Sequence, residues 1–251
     1  MAPRDGTGGG SGRGGPRAGR APGSRARPGR ALRERARRVA DRLQAAMPEA
    51  RIALSFGDDV QLLVSVVLSA QCTDARVNRA TPALFAAFPD AGAYARARPE
   101  DLWPYVRSLG LFRNKARAIV AAMQAIERDH GGRVPRTRAA LEALPGVGRK
   151  TAGVVLLHLG AAPAFPVDTH VGRLARRLGL SAEAHPDRVE RDLMRLFPEA
   201  RWGAVHQLLV WHGRRVCRAR RPACDRCAVA RLCPRAGVDA TAGRRGAGPE
   251  P

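Results

Sequence analysis

The sequence predicts an all-α fold, and three observations carry that expectation. Apolar residues recur at helical spacing along nearly the whole chain. Period-two alternation, the mark of half-buried strands, is hard to find. Proline and glycine stand where helices would start and stop.

Residues 1–30 carry seven Arg and one Asp among Gly, Pro, Ala and Ser, without a hydrophobic period. Such a segment buries too little apolar surface to offset chain entropy, so a disordered basic tail is expected there, and residues 236–251 read the same way. Leu32, Val39 and Leu43 then share one face of a first helix. From Val60 to Ala70 the run VQLLVSVVLSA is apolar on nearly every side, as a helix central to a core must be, and it is too short to span a bilayer. It ends in Gln71-Cys72-Thr73-Asp74, where Thr73 or Asp74 can cap a helix running to about Phe88. Ile119, Val120, Met123 and Ile126 line another face. Pro186 suits the first turn of a helix whose stripe is Val189, Leu193, Leu196 and Phe197. Gly213 reads as the stop of a helix containing Val205, Leu208, Leu209 and Trp211.

The 251 residues carry a formal net charge of +22, which calls for a polyanionic partner, nucleic acid first among them. No apolar run is long enough for a membrane span, and the N-terminus lacks the hydrophobic segment of a secretory signal. An Arg-rich, acid-poor start also fits a transit peptide, but its Gly and Pro content spoils an amphipathic helix. The expectation is a soluble, cytoplasmic protein without a membrane partner, in a reducing compartment that argues against disulfides for its five cysteines.

Of the 44 basic residues only Lys115 and Lys150 are lysines. An arginine contacts phosphate at least as well, but its guanidinium does not deprotonate, so it cannot act as an amine nucleophile. For Lys115, survival by chance or for packing is a sufficient reading. Lys150 lies in a motif, Leu141-Glu142-Ala143-Leu144-Pro145-Gly146-Val147-Gly148-Arg149-Lys150-Thr151-Ala152, that reads as helix, hairpin, helix. Gly146 and Gly148 would let the hairpin approach a nucleic-acid backbone, and the free amides of the second helix would bind phosphate without reading sequence. The helix dipole and Arg149 both disfavour an extra cation at Lys150, which favours the free amine. The competing reading is a lysine that only contacts phosphate.

Downstream, Phe165-Pro166-Val167-Asp168-Thr169-His170-Val171 places a carboxylate before another helix. Asp168 reads as a helix cap or as the carboxylate that takes an amine's proton and steadies positive charge on a sugar. His170 is either a phosphate contact or a packed histidine. Cys217, Cys224, Cys227 and Cys233 follow in the pattern C-x6-C-x2-C-x5-C, which reads as a metal site, with zinc and an iron-sulfur cluster both open on ligand chemistry. Arg218, Arg220 and Arg221 fall in its first interval, so a metal centre would present a basic loop to phosphates. Cys72 lies apart and reads as a small buried apolar residue.

Taken together, these residues resemble the bacterial endonuclease III branch of the helix-hairpin-helix DNA glycosylases over about residues 32–235. The likeness rests on LSAQ at 68–71, LPGVGRKTA at 144–152, VDTH at 167–170 and the cysteine spacing. It implies a six-helix barrel over 52–162 containing the hairpin, and a discontinuous cluster domain made of 31–51 and 163–235. It implies a [4Fe-4S] cluster on the four cysteines, and as partner double-stranded DNA containing damaged bases or abasic sites, with a monomer sufficient. It further implies that an oxidised pyrimidine flips out, that Lys150 attacks the sugar C1′ with help from Asp168, and that β-elimination through the Schiff base cuts the strand 3′ of the abasic site. Gln71 matches a residue that fills the vacated base position, and Leu111, in SLGLF, one that wedges into the stack. Gly153 departs from the pattern, standing where many relatives carry asparagine. Two rival readings are an adenine-mismatch glycosylase, which typically lacks the lysine and carries a further C-terminal domain, and a non-catalytic DNA-binding module.

Overall fold

A computed structural model describes residues 28–238, and among them every regular element is helical. In chain order the α-helices are α1 (Arg30–Ala46), α2 (Asp59–Leu68), α3 (Asp74–Ala87), α4 (Ala91–Arg96), α5 (Pro99–Val106), α6 (Phe112–His130), α7 (Arg138–Glu142), α8 (Arg149–Leu159), α9 (Thr169–Arg177), α10 (Pro186–Leu196) and α11 (Trp202–Arg215). The two expected tails lie outside the described residues except at their inner ends. There Arg30 already opens α1, and the Ala236 amide donates to the Arg177 carbonyl at 3.3 Å.

The all-round apolar run becomes α2, capped by Asp58, whose side chain accepts from the Gln61 amide, and buried from Leu62 to Leu68. Around it Leu84, Leu102, Val106, Ile119, Met123, Leu141, Val155 and Leu156 complete one core. A second core is discontinuous in sequence: Ala36, Val39, Ala40 and Leu43 of α1 pack with Leu174, Val189, Leu193, Val205, Leu208 and Leu209. The chain passes from the first core to the second between Ala164 and Phe165, each completely buried in its own cluster. Asp168 therefore emerges just beyond the crossing.

Two local expectations change. Thr73 does stand at the N-cap of α3, yet its hydroxyl makes no capping bond, and its carbonyl instead receives the Arg76 and Val77 amides. Gly213 does not stop a helix; α11 runs through it to Arg215. The reason for glycine there is close packing, since a Cβ would sit 2.9 Å from the His170 Cβ.

Candidate active site

Lys150 is presented by the hairpin between α7 and α8. Leu144 and Val147 anchor that hairpin in the first core, and the Val147 amide closes the turn on the Leu144 carbonyl at 3.1 Å. Gly146 has a left-handed backbone (φ +76°), and a Cβ there would lie 2.5 Å from the Ala118 Cβ, so both conformation and space require glycine. Gly148, the N-cap of α8, differs: a Cβ would meet nothing within 4 Å. Among the described residues no side chain caps α8, which leaves its first amides available to an anion.

Arg149 is ion-paired with carboxylates of α10. Its guanidinium lies 3.0 Å from Asp187 and 2.8 Å from Glu190, and Glu190, only 4% exposed, also holds Arg138 at 3.1 Å. This network ties α7 and α8 of the first core to α10 of the second. The Arg149 charge expected to press on Lys150 is thus engaged elsewhere, while the Lys150 side chain is exposed and has no hydrogen-bond partner among the described residues.

Asp168 caps α9, its Oδ1 accepting the Val171 amide at 2.8 Å. Its other oxygen accepts no hydrogen bond among the described residues. The capping bond thus occupies only one of the two carboxylate oxygens. Lys150 and Asp168 line the same cleft of about 570 Å³, with Pro166, Arg173, Arg176 and Glu190. They also line a second cavity of about 140 Å³, with Ala70, Asp74, Val154, His206, Gln207 and Arg214, and among the described residues they are the two common to both. Gly153 contributes to this approach, because a Cβ there would press within 3.3 Å of the Pro166 Cγ.

His206 is the wall residue that sequence reasoning missed. It is 4% exposed, and its Nδ1 lies 2.9 Å from the Pro166 carbonyl, to which it donates as Nδ1–H. Burial pushes its pKa down to about 4, and Asp168 opposes that shift. The imidazole is neutral at physiological pH. The one signal for it was a histidine inside the apolar stripe of α11.

Gln71 and Leu111 both take left-handed backbone, with φ of 53° and 58°. Both are exposed, Leu111 at 56% despite its apolar side chain. His170 is packed against Gly213, and its Nδ1 lies 3.1 Å from the Arg173 guanidinium; burial lowers its pKa. Arg218, Arg220 and Arg221 are exposed, and no carboxylate pairs with them among the described residues.

The four cysteines line one pocket with Leu174, His212 and Val229. Sequence reasoning missed the arginines that hold it. Arg177 donates to Cys217 Sγ at 3.4 Å and to the carbonyls of Arg218 and Ala219, while Arg173 donates to the carbonyls of Gly213 and Cys217. Their i, i+4 spacing on α9 was the available signal. The His212 Nε2 reaches Cys227 Sγ at 3.4 Å, and the Arg235 amide reaches Cys233 Sγ at 3.3 Å. Burial pushes the thiols of Cys227 and Cys233 up, and the neighbouring cysteines push the same way. Among the described residues no three His, Cys, Asp or Glu side chains converge on a single ion position.

An all-α fold whose hairpin brings a lysine to the same cleft as a carboxylate fits the family description "HhH-GPD superfamily base excision DNA repair protein", which matches residues 64–199. Endonuclease III of Synechocystis is 46% identical over 81% of this chain and 94% of its own length. Those of Bacillus subtilis and Escherichia coli are 42% and 37% identical, covering 77% and 78% of this chain and 89% and 92% of theirs. A structure of a trapped endonuclease III–DNA covalent intermediate superposes with a TM-score of 0.77 at 39% identity, covering 81% of this chain and 96% of that one. A thermostable thymine-DNA glycosylase shares the fold, with a TM-score of 0.73 at 20% identity over 81% of this chain and 97% of its own. The chain belongs to the endonuclease III family within the HhH-GPD superfamily. No described helix is long and apolar enough to cross a membrane.

Proposed function

We propose that Lys150 is the amine nucleophile and Asp168 the assisting carboxylate of this DNA glycosylase and abasic-site lyase. The observation that carries the reading is that, among the described residues, these two alone line both cavities of the cleft. An exposed amine without a protein partner is free to reach an electrophilic sugar carbon. Lys150 Nζ attacks C1′ of a flipped oxidised pyrimidine nucleotide, the C1′–N bond breaks, and the base leaves with its electron pair. Asp168, with one oxygen fixed by the Val171 amide, uses the other to take a proton from the attacking amine and to steady positive charge on the sugar. The nitrogen lone pair then opens the sugar ring, the C1′–O4′ bond breaking as C1′=N forms and O4′ taking a proton; this Schiff base acidifies C2′, and loss of that proton expels the 3′ phosphate. The smaller cavity, beside Ala70, receives the flipped base, and the lower cost of unstacking a damaged pair selects for damage.

DNA reaches the cleft across a positive surface. Gly146 and Gly148 bring the hairpin to the backbone, Gln71 fills the vacated position, Leu111 wedges into the stack, and His170 with Arg218, Arg220 and Arg221 faces phosphate. We assign the first core, 52–162, as the barrel and the second, 31–51 with 163–235, as the cluster domain. Cys217, Cys224, Cys227 and Cys233 would hold a [4Fe-4S] cluster. The donor set fits, since four sulfurs line one pocket and N–H groups of Arg177 and Arg235 already point at two of them, Cys217 and Cys233. When bound, that group cross-links the loop carrying the three arginines. The protein acts as a monomer in the cytoplasm.

Mixing the protein with abasic DNA and borohydride tests the reading. A covalent adduct is expected, and wild-type protein that binds DNA yet gives none would sink it. Iron and sulfide analysis with visible absorption tests the cluster; a colourless protein with stoichiometric zinc would overturn it.

A further inference from the structure

Gln71 and Leu111 adopt a conformation that costs any non-glycine residue energy and persists only where its surroundings impose it. Each turn has its own local bonds: Cys72 N–H to the Ser69 carbonyl at 3.0 Å in one, Leu109 N–H to the Val106 carbonyl at 2.8 Å in the other. Two cationic side chains then cross between the turns in opposite directions. Lys115, one helical turn after Leu111, sends its Nζ to the Leu68 carbonyl at 2.8 Å, three residues before Gln71. Arg76, just after Gln71, donates to the Ser108 carbonyl, three residues before Leu111.

Lys115 is 5% exposed, so its ammonium is desolvated, and burial pushes its pKa down. A buried ammonium makes a strong bond to the last carbonyl of α2, a group that the helix itself leaves unsatisfied. We propose that Lys115 and Arg76 are positioning residues that lock the Gln71 and Leu111 turns into a single two-pronged unit, so that both side chains enter a duplex together. The proposal rests on the reading of Gln71 and Leu111 as the inserting residues. It assigns the second lysine of the chain to holding the DNA-opening device, as the first is assigned to chemistry.

The test measures binding to a duplex containing a tetrahydrofuran abasic analogue and to the same duplex undamaged. Coupled neighbours interact by amounts equivalent to roughly twofold to a hundredfold, so Lys115→Met should cut the preference for the abasic duplex about tenfold, and Arg76→Gln by about threefold. Undamaged-duplex affinity should stay unchanged in both. In a Gln71→Ala, Leu111→Ala background Lys115→Met should cost nothing further; an equal loss there means a merely structural role and overturns the proposal. If the Gln71→Ala, Leu111→Ala protein binds abasic DNA as wild type does, the reading of the two prongs fails instead. If that protein loses the preference while folded Lys115→Met and Arg76→Gln keep it, the prongs stand and the lock is wrong. Should Lys115→Met not fold, the exposed Arg76 decides: full preference in Arg76→Gln overturns the lock.

Discussion

The two lysines stand in opposite surroundings. Lys150 rises exposed from a glycine-built hairpin, with no partner among the described residues, at the divide between two cavities. Lys115 is buried at the shoulder of the first core and committed to a helix-end carbonyl. In a chain whose other basic residues are all arginine, each lysine sits where a guanidinium would fail. At position 150 the need is for a group that can give up its proton. At position 115 it is for a compact cation with a single bond to make. The hairpin region is open because a reactant must enter, and the shoulder is closed because its backbone must not move.

The largest effect that could break this contrast is loss of the exposed amine. Lys150→Gln should eliminate borohydride trapping and strand cleavage while leaving duplex binding near wild type, and Lys150→Arg should do the same despite keeping the charge. Trapping that survives in Lys150→Arg would move the nucleophile elsewhere. Gel-resolved adduct and anisotropy binding on the same preparations decide it.

Next in size is the carboxylate. Asparagine caps a helix about as well as aspartate, so Asp168→Asn keeps the bond to Val171 and removes only the charge. Single-turnover base release should fall by roughly 10²–10⁴-fold, the usual range for a positioned proton acceptor, with thermal stability little changed. Asp168→Ala should add a loss of about 1 kcal/mol in stability by removing the cap. An active Asp168→Asn would reduce this residue to its capping role.

Much of the contrast was legible in the sequence. The hairpin motif, the single lysine within it and the cysteine spacing are all local patterns, so they point to Lys150 and the thiol pocket directly. Asp168 was readable as a cap and as a reactant; the structure makes it the cap through one oxygen and leaves the other without a hydrogen bond among the described residues, which is what the proposed role uses. What was hidden is non-local. No pattern links Lys115 to Leu68 or Arg76 to Ser108, because those bonds join loops distant in the chain. Left-handed backbone at Gln71 and Leu111 is equally unreadable, since only glycine advertises it. Arg149 was read by adjacency alone, and its pairing with Glu190 depends on how the two cores meet.

A smaller effect sharpens the picture of the open side. His206 has its pKa lowered to about 4 in the fold, so the unfolded chain binds the extra proton between that value and about 6.5. Stability from this group is complete above pH 6.5 and is lost as pH falls toward 4, by on the order of 3 kcal/mol. Denaturant midpoints of wild type and His206→Gln should converge as pH drops through this window. Because Asp168 holds the pKa up, Asp168→Asn should lower it further in an NMR titration of the ring. A ring that titrates near 6.5 in the native protein would remove His206 from the buried wall.

The smallest effect separates the two hairpin glycines, which the motif treats alike. Gly146 is explained within the fold by its positive φ and by Ala118, so Gly146→Ala should cost about 1–3 kcal/mol through strain and overpacking. Gly148 has ordinary backbone and open space around it, so Gly148→Ala should shift stability by less than about 1 kcal/mol, its slightly poorer capping offset by a stiffer unfolded chain. Nothing among the described residues forbids a side chain there, which points to a reason outside the fold, in a backbone that approaches the hairpin. Gly148→Ala should therefore weaken duplex binding about tenfold, equivalent to one misplaced phosphate contact at roughly 1.4 kcal/mol. The weakening should be alike for damaged and undamaged DNA, unlike that of the Lys115 lock. Unchanged affinity in a folded Gly148→Ala protein would take the hairpin out of the DNA interface.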